Sequence, residues 1–533
     1  MHLNRCFVVV AVLLFIALLP ATLSAQTPPQ TSPQTSPQTS PLFGELKPGP
    51  HPVGYRLIHL KDQTRLVRPK RDYLGTPNIA DRARPIELHV WYPAAEASSA
   101  PMTFEQYIYY HDFGTPNETT RRQQRDFVRQ TQFPGRFSDA DWQRLLDSPL
   151  LARRNAREAA GKFPLVFGEL RPLSTSITNE YLASHGYVVV MVESGLPSGM
   201  SSALPNEDSY RNLEFAYAHT RTMSNVDQSL TGTLGFSAFG VAQIVYAMRT
   251  HEVDAVVSLE SGFFHDQSLY EVAKGAHGYD VTAMRASFLH IFRAGKENTA
   301  SLSDFNAMRY STRYHYQVDV PQIRHSDFTT EGMAASTVLS LRPAAAPLLR
   351  KAFELTNLYM LNFFNAHLKG DAKGLAFLRR DPAANAAPEK MIAMTEKPGT
   401  KPAPTEAEFL LLINSAGLEQ ALALFKEAKK IDPDATLFRE ATLNQIGSQL
   451  GSSQRHKEAI AIYKLCLESY PKSSRTTLNL GFAYEAIGEK KLALEFFERC
   501  LQLVEDDPNQ PESERQFIKK AVPGRINALK GGQ

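Results

Sequence analysis

From Phe163 onward the chain alternates short apolar, β-branched runs with stretches of helical periodicity, and this alternation restricts the fold more than any other feature. The runs are FPLVF (163–167), YVVVMVE (187–193), TGTLGF (231–236), VDAVVSLE (253–260), SFLHIF (287–292) and YHYQVDV (314–320). Between them lie NEYLASHG (179–186), RNLEFAYAHTRTM (211–223) and AFGVAQIVYAMRT (238–250), with NLYMLNFFNAHLKG (357–370) after the last strand. Strands without polar alternation must be covered on both faces, and helices between successive strands make them parallel. The expected fold class is therefore α/β, a mostly parallel sheet flanked by helices. RPIELHVWYPA (84–94) alternates apolar and polar residues and reads as an earlier strand.

Either side of this block the chemistry of the chain changes. His2 and Arg5 precede an apolar run from Phe7 to Leu19, then Pro20 and small residues up to Ala25. The run is short for a membrane span, so residues 1–25 read as a secretory signal cleaved near Ala25, leaving a mature chain without an integral span. Residues 26–48 are a Gln/Thr/Ser/Pro-rich spacer, and folded structure should start near Gly49. Three cysteines in 533 residues exclude a disulfide framework, and export to a bacterial periplasm or medium suits that count. A net charge of +3 without a Lys/Arg block argues against nucleic acid as a partner. Asn117-Glu118-Thr119 is a chance-level sequon. Residues 101–162 form an aromatic and Arg-rich insertion (Phe104, Tyr107, Tyr109, Tyr110, Phe113), expected to be helical around Trp142 to Ala160. It either overhangs the site as a lid or packs on the sheet edge.

After a Pro/Ala-rich stretch at 381–405, taken as a second linker, residues 406–533 repeat. Gly447 and Gly481, Tyr463 and Phe497, Ala459 and Ala493, and Cys466 and Cys500 recur at about 34 residues, the tetratricopeptide period. Two repeats follow a degenerate first copy, and a helix near Glu512–Ala528 closes the stack. Equivalent positions on stacked helices lie about 8–10 Å apart, too far for a disulfide, so Cys466 and Cys500 read as small apolar residues.

The chemistry concentrates at Gly235-Phe236-Ser237-Ala238-Phe239-Gly240, where a strand ends in Gly-x-Ser and a helix begins at once. That is how a serine hydroxyl is presented on a sharp strand-to-helix turn, with free N–H groups of the helix start beside it. Ser237 is the candidate nucleophile. His325, in QIRHSDFTT directly behind the last parallel strand, is the candidate base. His290, within a strand, and His265, earlier in the chain, read as structural. For the orienting acid the residues leave two candidates, Glu260 in SLESGFF and Glu297 in RAGKENTA, each following a strand.

With GFS around Ser237, LE at 259–260, RHSDF around His325 and FPLVF followed by ASHGYVVVMVE, the chain resembles the α/β-hydrolase superfamily over residues 50 to 375. It is most similar to enzymes of the platelet-activating-factor acetylhydrolase and dienelactone-hydrolase type. The resemblance implies hydrolysis of carboxylic esters with short or modest acyl groups, lipid-derived ones included, without cofactor or metal. It favours Glu260 over Glu297 as the acid. It also places the oxyanion donors at the N–H groups of Ala238 and of the loop at Leu170 and Arg171. The hydrolase domain would span 49–380. Two departures stand out: Phe239 replaces the second glycine of Gly-x-Ser-x-Gly, and Gly168-Glu169-Leu170-Arg171-Pro172 replaces the usual glycine-rich loop. They leave a second reading open, a weak or inactive hydrolase fold acting as a scaffold whose repeats bind a protein or peptide partner.

Overall fold

Valine-rich segments such as Val188–Ser194 have no polar face to turn to water, and the chain accordingly stacks them in the middle of a sheet. The structure, a computed structural model, describes residues 40–67, 70–71, 74–79, 82–97, 99–108, 118–169, 171–194, 207–401 and 403–531. The expected signal peptide with Cys6, residues 26–39 of the spacer, and Tyr109, Tyr110, Phe113, Asn117 and Leu170 lie outside these residues.

The strands are β1 (Val53–Leu66), β2 (Ala83–Pro93), β3 (Ala152–Arg154), β4 (Phe163–Glu169) and β5 (Val188–Ser194), followed by β6 (Val226–Phe236), β7 (Ala255–Leu259), β8 (Ser287–Arg293), β9 (Arg313–Val318) and β10 (Ile392–Lys397). They form one sheet in the order β10-β9-β8-β7-β6-β4-β5-β2-β1-β3. From β5 through β4 and β6 to β9 every neighbour is parallel, whereas β2 runs antiparallel to both β1 and β5. One apolar core, with Val166, Val189, Leu234, Val257 and Phe363, lies on one face, and a second, with Phe167, Val190, Val241, Val256 and Phe288, lies on the other. The sheet is thus buried on both sides, and the architecture is the α/β-hydrolase fold.

Several local expectations are corrected. Folded structure starts before Gly49, since the turn Pro41–Phe43 buries Leu42 and Phe43, and Leu46 after it, in the first core. Only the start of the segment 142–160 is helical: helices occupy Glu118–Gln132 and Asp139–Leu146, and the chain then turns into β3. A capping box at Ser138 and Asp141 starts the second helix, and Pro149 ends the helical stretch. The described part of the insertion packs inward, since Phe104, Tyr107, Phe133 and Trp142 all belong to the first core. The Pro-rich stretch 381–405 is not wholly a linker, because β10 lies inside it and pairs antiparallel with β9 from Ile392↔Val318 to Lys397↔Arg313. The closing helix starts earlier than expected, running Ala346–Leu368.

Beyond β10, helices Glu406–Ala416, Leu418–Ile431, Glu440–Ser452, His456–Ser469, Ser474–Ala486 and Lys490–Leu503 pack as successive pairs, with Glu512–Gly531 covering the end. Gly447 lets the Tyr463 ring lie against its backbone, and Gly481 does the same for Phe497, where a Cβ would come within 2.3 Å and 2.5 Å of the rings. Cys466 and Cys500 are free and buried, and burial pushes their thiols up to about 11 and about 12. Among the described residues, no helix is long and apolar enough to cross a membrane.

Candidate active site

Three candidate residues arrive at one edge of the sheet because β6, β7 and β9 are parallel and all end there. Ser237 directly follows β6 and adopts φ +57°, a left-handed conformation that a serine takes only when its surroundings impose it. Those surroundings are visible. The Ser237 N–H donates to Leu259 O at 3.2 Å, and its carbonyl accepts from Gly240 at 3.1 Å and Gly262 at 2.9 Å. The turn is closed by an approach of the strand to the helix Phe239–Arg249. A Cβ on Gly235 would fall 2.6 Å from Gly240 Cα, and one on Gly240 would fall 2.7 Å from Ser261 Oγ. The tight contact therefore uses Gly235 and Gly240, and Phe239 is free to turn its ring toward the first core. That is the physical reason the chain can carry Phe where Gly-x-Ser-x-Gly has its second glycine.

Glu260 directly follows β7, with φ +44° and a side chain only 1% exposed. His325 Nδ1 lies 3.0 Å from its Oε2. Arg293, the last residue of β8, donates its backbone N–H to Oε1 and its Nε–H to Oε2, both at 2.6 Å. Burial alone would raise the carboxyl pKa; the His325 hydrogen bond and the Arg293 charge outweigh it and hold the group below the usual carboxylate range. Glu260 is therefore a fixed carboxylate with its charge shared between an imidazole and a guanidinium.

His325 opens a short 3-10 turn, His325–Phe328, and its ring stacks on Phe236 with centroids 4.5 Å apart. Phe236 immediately precedes Ser237, so the stack sets the imidazole beside the serine turn. Buried Asp327 anchors the histidine loop: it accepts from the Arg324 N–H at 2.7 Å and from Arg342 Nη1 at 2.9 Å, with Arg342 Nη2 on its other oxygen. Gly332 lets the next helix approach, since a Cβ there would meet Ser326 O at 2.3 Å. Among the described residues no hydrogen bond joins Ser237 Oγ to His325. His265 is a neighbour, its ring 5.7 Å from that of His325, and burial lowers its pKa.

Of the other candidates, Glu297 does not approach His325. Its Oε1 is held by His315 Nε2 and lies 3.5 Å from His290 Nε2. Burial would raise its pKa, but the two histidines pull it down to about 2. Among the described residues its carboxylate is engaged by His315 and His290, whereas the carboxylate that meets His325 is that of Glu260. The N–H groups of Ala238 and Arg171 have no hydrogen-bond acceptor among the described residues. Leu170, the other expected donor, lies outside those residues.

Sequence reasoning missed Arg293, Asp327 and Phe236 as supporting groups. Asp327 had a signal, being the third residue of the turn that His325 opens, whereas the pairing of Arg293 with Glu260 needs the β7–β8 register to be seen.

Residues 475–507 match the tetratricopeptide repeat family model. No curated protein matches the chain. Among solved structures, a ferulic acid esterase from Streptomyces cinnamoneus is similar over 65% of this chain and 96% of that one, at 17% identity and a TM-score of 0.41.

Proposed function

We propose that the chain is a serine hydrolase of carboxylic esters, with Ser237 as nucleophile, His325 as general base and Glu260 as orienting acid. The observation that carries this reading is the Glu260–His325 hydrogen bond, with the imidazole stacked against the residue preceding a left-handed serine. With Nδ1 held by the carboxylate, Nε2 is the nitrogen left to take the serine proton. Ser237 Oγ adds to the ester carbonyl as that proton passes to His325. The N–H groups of Ala238 and Arg171 then receive the oxyanion, where one donor is worth about 3–4 kcal/mol of barrier. The imidazolium, stabilised by Glu260, protonates the leaving alcohol, and water releases the acyl group by the same steps in reverse. The resemblance to acetylhydrolases and dienelactone hydrolases supports short or modest acyl groups as substrates. The N-terminal pattern supports export.

A second reading rests on the absence of a direct Ser237–His325 hydrogen bond among the described residues. In it the hydrolase fold is inactive and the tetratricopeptide array, a scaffold for a protein or peptide partner, is the working part. Turnover of p-nitrophenyl acetate separates the two. The enzyme reading predicts that Ser237→Ala lowers the rate by at least about 10³-fold. Equal rates for wild type and variant would reject it in favour of the scaffold.

A further inference from the structure

On the face of the sheet that carries the second core, His290 of β8 and His315 of β9 stand directly opposite each other in the strand register. Glu297, in the segment that follows β8, reaches back over both. One ligand atom from each lies within 4.8 Å of the other two. His290 is fully buried, its ring stacked between Phe264 at 3.7 Å and Phe292 at 4.6 Å. Phe292 also packs against His315 at 4.3 Å. Phenyl rings thus stack on the His290 imidazole and pack against that of His315, with Glu297 16% and His315 26% exposed.

Among the described residues neither ring nitrogen of His290 has a hydrogen-bond partner, and Glu297 Oε1 stands 3.5 Å from its Nε2. A buried imidazole with two unsatisfied nitrogens is unfavourable unless something else binds it. We infer that His290 Nε2, His315 Nε2 and Glu297 Oε1 form a binding site for one zinc ion, with water as the fourth ligand. Three protein ligands plus water is a common tetrahedral arrangement, and ligand atoms about 2.0–2.2 Å from the metal then lie about 3.3–3.5 Å apart. The His290–Glu297 separation already has that value, and the shorter His315–Glu297 hydrogen bond has to open to admit the ion. Two imidazoles and one carboxylate suit zinc or its borderline neighbours, whereas magnesium and calcium prefer all-oxygen sets. The phenyl cage keeps the site dry on its inner side and fixes the ring orientations. Zinc there would clip β8, β9 and the intervening segment together, next to the Arg293 that holds Glu260. The site uses none of the residues assigned to ester hydrolysis, so it stands or falls separately from that reading.

The test uses the full chain, stripped with a chelator and titrated with zinc chloride by calorimetry, with thermal melting and circular dichroism alongside. One zinc per chain and a raised melting temperature are expected, with no effect of magnesium chloride. Glu297→Gln and His315→Asn, both at the partly exposed end of the cluster, should each weaken binding by at least about 10–100-fold. No zinc binding by wild type, or equal binding by wild type and both folded variants, would overturn the inference. Zinc-edge X-ray absorption on wild type keeps the test open should the variants misfold. Two imidazole shells support the site, and a sulfur shell or fewer than two imidazoles contradicts it.

Discussion

Glu260 and Glu297 follow neighbouring strands and end up in different electrostatic company. Glu260 faces His325 and Arg293, while Glu297 faces His315 and His290. The proposed chemistry needs the first and not the second. Glu260→Gln offers His325 Nδ1 an amide in place of a carboxylate, which loses the charge that stabilises the imidazolium and lets the wrong tautomer form. Ester turnover should fall by about 10³–10⁴-fold, whereas Glu297→Gln should leave it within a few-fold. Steady-state kinetics on both variants decide the matter, and the reverse ranking would return the acid's role to Glu297. Residue types and spacing brought Ser237, His325 and both acids into view, because strand ends could be read from β-branched runs. Which acid meets His325 depends on long-range packing of the loops behind β7, β8 and β9, and no local pattern encodes it.

At the scale of elements, the strand-to-helix turn is shaped by a close backbone approach between Gly235 and Gly240. Backbone cannot yield as a flexible side chain can, so Gly235→Ala must push the helix Phe239–Arg249 off β6. A loss of about 1–3 kcal/mol is expected in urea unfolding, together with reduced esterase activity. Phe239→Ala removes only a half-buried ring and leaves the turn in place, so activity should fall less than in Gly235→Ala. Equal losses would mean that the glycine contact does not set the turn. The strands could be placed from sequence because their composition is extreme. The helices of the insertion could not, because their boundaries depend on caps such as Ser138 and on burial of Trp142 against the first core. Likewise β10 hides in a Pro-rich stretch, since an edge strand that pairs on one side only needs little apolar character.

Across the whole molecule, two joints tie the added segments to the sheet. Tyr310, with Arg285 and Arg309 stacked on its ring at 4.2 Å and 4.8 Å, donates to Asp432 at 2.5 Å and so links the sheet-bearing part of the chain to the first helical pair. Glu180 anchors the insertion to the helix Pro172–Ser184, accepting from the Tyr107 hydroxyl and the Leu151 N–H, each at 2.5 Å. Burial raises the Glu180 carboxyl from 4.5 to about 7. Between those values the native chain keeps a proton that the unfolded chain releases, so stability falls as pH rises from about 4.5 through about 7, by up to about 3 kcal/mol from this group. Glu180→Gln stays neutral and can still accept from Leu151 while donating to Tyr107. Its unfolding free energy in urea should lose less than wild type's between pH 5 and pH 8; an unchanged pH slope would show that Glu180 is ionised in the native state. The central claim remains the reactivity of one serine. A fluorophosphonate probe followed by peptide mass spectrometry measures it directly. The account predicts a single adduct on the peptide containing Ser237, absent from Ser237→Ala and strongly reduced in His325→Ala. An adduct on another residue that survives Ser237→Ala would contradict it, as would no adduct on folded wild type.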